Sequence, residues 1–451
     1  MPDRLSPLDA SFLAVEGPEA HMHVGWVAYL EPPRRGRRPD AEAIAGHIAA
    51  RLERAPRWHQ MLAPVPFGLH EPEWVDAPGF DPLDHLHPCD AADVGPLVDA
   101  VLSRPLDRAR PLWEMWIADR IRDGRIAVVG KAHHCMVDGV AALELASVLL
   151  DREPGASELP PPAPPPAAAP PGAAARLAGA LEDRAREQAA LLGVPLRLLR
   201  RSGLPAAAHA AAHAAASLAR ATLPPAPASV LNPPGSADRR LACTTRPLDD
   251  LRAIRKRWGV TVNDVVLAAC AGALRAFDAR ASRTPKPLKA MVPVDVRAEG
   301  DDPGGNRISF LLVALPCQEP DPVVRLMLVH REMATRKLRD EAGDTDALMR
   351  ALALAPRPLR RAAARVVTSP RMYNLAVSSI PGPRLPVHLA GCRLVAIHPV
   401  VPLAGRHALS VGMCTVGRDA CFGLYADRAT LPDAAALAGD LDAAIDELLA
   451  A

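Results

Sequence analysis

Lys131 to Gly139 read KAHHCMVDG, a stretch dense in side chains that can do chemistry. Two adjacent imidazoles could ligate a metal, serve as a general base with a supporting neighbour, or pack as structural residues. A neutral imidazole, with an ordinary pKa of about 6.5, accepts protons at cellular pH. Cys135 offers a thiol. Asp138 could orient a ring as in a triad, anchor the loop against an arginine, or cap the helix that VAALELASVLL begins after Gly139. A metal site needs a third or fourth ligand at defined spacing, and none stands near the pair. A Cys135 nucleophile would have to meet His134, its chain neighbour, and adjacent strand residues rarely meet. The residue chemistry favours a general base, with two buried structural histidines as the alternative.

These side chains need a platform. RIAVVGKAHH reads as a strand through Ile126, Ala127, Val128 and Val129 that runs into the histidine pair. Neighbours on an extended chain point opposite ways, so one histidine would face a pocket and the other would support it. Downstream, VTVNDVVLAACAGALRAF predicts a helix, with Asn263 and Asp264 as capping residues and Val266, Leu267, Cys270 and Leu274 on its inner face. LKAMVPVDVR, RISFLLVALP, YNLAVSSI, CRLVAIHPV, ALSVGMCTV and CFGLYAD read as strands, and PDAAALAGDLDAAIDELLA as an amphipathic helix. Between the two patterned regions, nine of the 22 residues from Asp151 to Gly172 are proline, which suits an extended connector. Ala-rich helical sequence follows, with the basic segment VPLRLLRR (Val194 to Arg201), which suits an anionic membrane surface or a solvated helix face. His209 and His213 have metal-ligand spacing, yet no Glu or Cys stands nearby to complete a site. The expected architecture is α+β: a lobe over residues 1–150, a Pro/Ala-rich connector with a helical insert over 151–235, and a second lobe over 236–451.

Composition bounds the function. Among 451 residues, 53 basic and 51 acidic side chains leave a net charge of +2, and aromatics are 3%, which argues against nucleic acid as a partner. Hydrophobic residues make up 49%, enough for large cores. The eight cysteines show no CxxC spacing and read as small buried hydrophobes in a reducing compartment. The first residues lack a signal-peptide pattern, and no run of about 18 apolar residues occurs. The expected location is cytoplasmic, with peripheral contact at the inner membrane face or at lipid inclusions left open.

HHCMVDG has the form HHxxxDG, and its surroundings narrow the resemblance. LSPLDASFLAVEGPEAHMHVG (Leu5 to Gly25), SRPLDRARPLWEMWI (Ser103 to Ile117), TVNDVVLAACAGALR, VPVDVR, GNRISFLLVALP, NLAVSSIPGP and CFGLYAD occur in this order. Together they resemble the bacterial wax ester synthase/diacylglycerol acyltransferases of the CoA-dependent acyltransferase superfamily, over residues 3–150 and 228–448. The resemblance implies two α/β lobes like those of chloramphenicol acetyltransferase, with a substrate channel between them. It implies transfer of a long-chain acyl group from acyl-CoA, a co-substrate rather than a bound cofactor, to diacylglycerol or a long-chain alcohol. It assigns His134 as the base, with His133 supporting geometry and Asp138 and Gly139 holding the loop. Arg297 is the expected partner of Asp138, and Asn263 and Asp264 are supporting residues, Asn263 as a candidate oxyanion donor. No metal is implied. A condensation-type amide-forming enzyme and a non-catalytic acyl-CoA- or lipid-binding protein are the alternatives. Two positions depart from the family pattern: Ser379 and Ser410 stand where asparagines are usual.

Overall fold

The structure, a computed structural model, describes residues 3–137, 145–154, 171–201, 224–295, 308–353, 355 and 357–451. Asp138, Gly139 and Arg297 therefore lie outside the described residues, as do most of the proline connector and the pair His209 and His213.

Among the described residues, fourteen strands form two six-stranded sheets and a small hairpin. In chain order they are β1 (His23–Glu31), β2 (Gln60–Ala63), β3 (Glu73–Asp76), β4 (Leu86–Pro88), β5 (Trp113–Ala118), β6 (Ile126–His133) and β7 (Arg239–Pro247). Then follow β8 (Leu288–Asp295), β9 (Ile308–Leu315), β10 (Leu375–Ile380), β11 (His388–Leu389), β12 (Cys392–Val400), β13 (Leu409–Val416) and β14 (Asp419–Asp427). The first sheet has the order β11-β12-β1-β6-β5-β4, and the second β7-β14-β13-β10-β8-β9. Every residue of β6 is buried, as expected for an apolar run covered on both faces.

The second core surrounds the helix Val262–Arg280. Its residues from Asp264 through Leu274 are all buried, because it is enclosed by the helices Leu248–Trp258, Pro322–Leu338 and Ala434–Ala450 and by the sheet. Its cap differs from the sequence expectation. The N-cap is Thr261, whose hydroxyl accepts from the Asp264 N–H at 3.2 Å while the Asp264 carboxylate accepts from the Thr261 N–H at 2.9 Å. This reciprocal pair is a capping box. Asp264 is thus its third helical residue, and Asn263 lies inside the first turn.

Strand pairing crosses the expected division between residues 1–150 and 236–451. β11 and β12 lie far into the second half of the chain, yet they extend the first sheet, β12 pairing with β1 from Gly25↔Val400 to Glu31↔Arg393. β12 also packs against β13 and β14 of the second sheet. Room for this crossing comes from Gly412 and Gly423. A Cβ at Gly412 would lie 2.9 Å from the Pro399 side chain, and one at Gly423 would lie 2.2 Å from the Pro399 carbonyl oxygen. His398 on β12 adds a hydrogen bond from Nδ1 to the Phe422 carbonyl at 2.9 Å. One strand therefore joins the two sheets.

Candidate active site

The histidine pair sits where β6 ends. His133 is its last residue, and the chain turns immediately, with the Met136 N–H donating to the His133 carbonyl at 2.9 Å. The two rings meet different partners. Both are gripped by a single element, the helix Pro7–Val15 and the Glu16 that ends it. Phe12 stacks on the His134 ring, with centroids 3.9 Å apart and planes 9° from parallel. Four residues on, Glu16 places Oε2 at 3.6 Å from His133 Nε2. One helical turn thus supplies an apolar face to one histidine and a carboxylate to the other. The helix is fixed at its start by Ser6, whose hydroxyl accepts from the Asp9 N–H and donates to the Asp9 carboxylate.

His133 is held in one tautomer. The Cys135 N–H donates to its Nδ1 at 3.1 Å, so Nδ1 is the unprotonated nitrogen and Nε2–H faces Glu16. Glu16 also pairs with Arg108. Burial pushes the Glu16 carboxyl up, but its His133 and Arg108 partners outweigh this and hold it below the usual carboxylate range.

His134 is tuned differently. Its main-chain N–H donates to the Met22 carbonyl at 2.9 Å, and Met22 itself adopts a positive φ of 50°. Nδ1 is enclosed without a partner outside its own residue, while Nε2 makes no hydrogen bond among the described residues. Burial pushes the imidazole down to about 4, against a smaller opposing effect from its own main-chain carbonyl. The ring is therefore neutral at cellular pH. Burial also drives the Cys135 thiol well above its ordinary value, leaving it protonated and unsuited to attack.

Behind the pair lies a buried polar row. His23 on β1 is the register partner of His133, and Gly25 that of Lys131. Both ring nitrogens of His23 are buried without partners among the described residues, and burial holds that ring neutral. Lys131 Nζ donates to the Val101 and Arg104 carbonyls, each at 2.9 Å, and lies 3.4 Å from Glu114.

The supporting residues named from sequence divide into separate groups. Asn263 Oδ1 accepts from the Ser379 hydroxyl at 3.0 Å. Asp264 receives His330 Nδ1 at 2.9 Å besides its capping bond. Among the described residues neither bonds to His133 or His134. Of the two positions where serine replaces the expected asparagine, Ser379 thus meets the ND block itself. Ser410 is buried and donates to the Val401 carbonyl at 2.6 Å, so it is spent on the main chain. Phe12, Glu16, Arg108 and His23 were not singled out from the sequence. The available signal was the F-x-x-x-E spacing and the HMH triplet inside the opening block. Among the described residues no three His, Cys, Asp or Glu side chains converge as metal ligands. The cysteines are all free, and six are buried as expected, but Cys243 is exposed and Cys89 half-buried.

Comparison with known proteins bears on what this arrangement belongs to. Residues 5–266 match the wax ester synthase/diacylglycerol acyltransferase catalytic domain, and residues 304–449 the WS/DGAT C-terminal domain. The chain is 31% identical to a probable diacylglycerol O-acyltransferase, tgs1, of Mycobacterium tuberculosis, across 99% of this chain and 96% of that one. It is 30% identical to a second, tgs2, across 99% and 98%. Among solved structures, a wax ester synthase/diacylglycerol acyltransferase from Marinobacter aquaeolei VT8 superposes with a TM-score of 0.70 at 26% identity, covering 99% of this chain and 98% of that one. A condensation domain of the calcium-dependent antibiotic synthetase shares the fold at a TM-score of 0.61 and 15% identity, covering 100% and 96%. With both family domains present in order and relatives matched along nearly its whole length, the chain belongs to the wax ester synthase/diacylglycerol acyltransferase family.

Proposed function

We propose that the protein transfers a long-chain acyl group from acyl-CoA to the hydroxyl of diacylglycerol, of a long-chain alcohol, or of both, with His134 as general base. O-acyl transfer to diacylglycerol or an alcohol is the activity of the family; the donor and the residue roles are our reading. The observation that carries it is the state of His134: a neutral ring clamped by Phe12, with Nδ1 enclosed and Nε2 making no hydrogen bond among the described residues.

In this mechanism Nε2 takes the proton of the acceptor hydroxyl as that oxygen attacks the thioester carbonyl carbon. The carbonyl oxygen becomes an oxyanion that preorganised donors must meet. Asn263 is suited to that role, since Ser379 occupies its Oδ1 and leaves the Nδ2 hydrogens to donate. Collapse of the intermediate breaks the C–S bond, and the imidazolium returns its proton to the departing thiolate. His133 keeps the turn in place through Glu16 and Arg108, and Asp138, with Gly139, is assigned to hold the loop against Arg297. The substrates and the free cysteines support action in a reducing, cytoplasmic setting with peripheral contact to a membrane face or lipid inclusion.

The test uses purified protein, palmitoyl-CoA, and dipalmitoylglycerol or hexadecanol, following both thiol release and ester. His134→Ala is expected to lower kcat by about 10²–10⁴-fold with an unchanged thermal midpoint. A variant at near-wild-type rate would sink the base assignment. Acyl-CoA binding by the parent without ester from any alcohol would make it a binding protein, and amide formed from amines instead would make it a condensation-type enzyme.

A further inference from the structure

The helix Arg357–Val367 has its amphipathicity reversed. Arg357 and Arg360 point to the protein and pair with Glu71, at 3.2 Å and 2.5 Å. The side chains turned outward include Leu359, Ala362 and Val366, which recur at i, i+3 and i+7 and so form one stripe. Leu359 is 55% and Val366 60% exposed. Arg361 and Arg365, one turn apart, are exposed beside that stripe and make no ion pair among the described residues. A helix that meets only water buries such a stripe and exposes its arginines. Beside it stands Phe67, 89% exposed and held at φ 57°, next to Gly68, whose carbonyl accepts from Arg357. An exposed aromatic at a positive φ pays twice, in hydration and in backbone strain.

The location gives this face a purpose. The helix packs against Pro7–Val15, the element whose Phe12 lies on His134. Between the two helices opens a cavity of about 150 Å³, lined by Ala10, Leu13 and Ala14 on one side and Arg357, Arg360 and Arg361 on the other.

We propose that Phe67 and the outer face of Arg357–Val367 dock the enzyme on an anionic lipid surface, setting the cavity beside the helix that clamps His134 against the layer holding the acyl acceptor. This rests on the reading that the acceptor is a lipid. The occupant follows from charge: Arg357 to Arg371 contains no acidic residue, and with Arg357 and Arg360 spent on Glu71, Arg361, Arg365 and Arg371 stay exposed. A second copy of the chain would oppose the same positive face to itself, whereas anionic headgroups attract each such arginine while Phe67, Leu359 and Val366 enter the acyl boundary.

The experiment is flotation with vesicles of phosphatidylcholine, with and without about 30 mol% phosphatidylglycerol. In parallel, turnover of a water-soluble short-chain acyl-CoA and alcohol is measured without vesicles. The parent is expected to bind the anionic vesicles, and less at high salt. Phe67→Asp combined with Leu359→Asp and Val366→Asp should weaken binding about tenfold or more and leave soluble turnover unchanged, and Arg365→Glu alone should reduce only the anionic preference. Equal binding by parent and variants, no binding by the parent, or a parent dimer that the variants dissociate would each overturn the docking face. Absence of soluble turnover in the parent would instead count against the catalytic reading, and vesicle binding would still be read independently.

Discussion

His134 is a histidine whose environment sets when it can work. Its pKa of about 4 makes the neutral, proton-accepting form the resting state across the physiological range. The expected kcat/KM profile is therefore flat from about pH 5.5 upward and falls about tenfold per unit only below about pH 4. An ordinary solvated imidazole would bend the profile near about 6.5 instead. A soluble short-chain substrate pair, with a check that the fold survives at each pH, makes the measurement. A bend at 6.5 would mean that the ring is solvated when it acts. At the same scale, the serine departures become intelligible. Ser379 occupies the amide oxygen of Asn263 and Ser410 a main-chain carbonyl, so both hydroxyls are used inside the protein.

Among the elements, β12 carries the most consequence for its length. It pairs with β1, neighbour of the histidine strand in the first sheet, and crosses β13 and β14 of the second. Its passage requires that Gly423 lack a side chain, since a Cβ would lie 2.2 Å from the Pro399 carbonyl oxygen. That neighbour is backbone and cannot rotate aside. Gly423→Ala is expected to cost about 2–3 kcal/mol, read as a lower urea midpoint with an unchanged slope. An unchanged midpoint would mean that β12 can slide away from the second sheet without loss. The helix Pro7–Val15 works similarly for the site, since its Phe12 and the Glu16 beyond it reach the two histidines from one rigid turn.

At the scale of the whole molecule, the buried histidines act together. Burial lowers His21, His23, His85, His87, His134, His398 and His407. As pH falls below about 6.5, the unfolded chain takes up protons at these positions and the folded chain does not, so stability falls with pH. For His134 the window runs from about 6.5 down to its folded value of about 4. Each histidine in its window adds up to about 1.4 kcal/mol per pH unit to the slope. Glu16 and Asp427, held low in the folded state, extend the same trend to more acid pH. The thermal midpoint should fall steadily from pH 6.5 to 4.5, and His21→Gln should flatten the slope. A midpoint constant across that range would show that these rings protonate in place.

Much of this was written locally. β6, the core of the helix Val262–Arg280 and β13 and β14 read as near-continuous apolar runs because they are covered on both sides, whereas the closing helix is periodic because only one face is buried. The doubled histidine marked the site, and the ordered blocks around it indicated the family. What the sequence could not show is which distant segments meet. Nothing in CRLVAIHPV says that, with its short neighbour β11, it joins a sheet whose remaining strands lie more than 250 residues earlier. Nothing in PLDASFLAVE says that its phenylalanine covers one histidine and its glutamate faces the other, more than 110 residues away. Such pairings depend on shape and space between elements, such as the gap left by Gly412 and Gly423. Burial in the assembled fold, rather than any neighbour in the chain, makes His134 neutral.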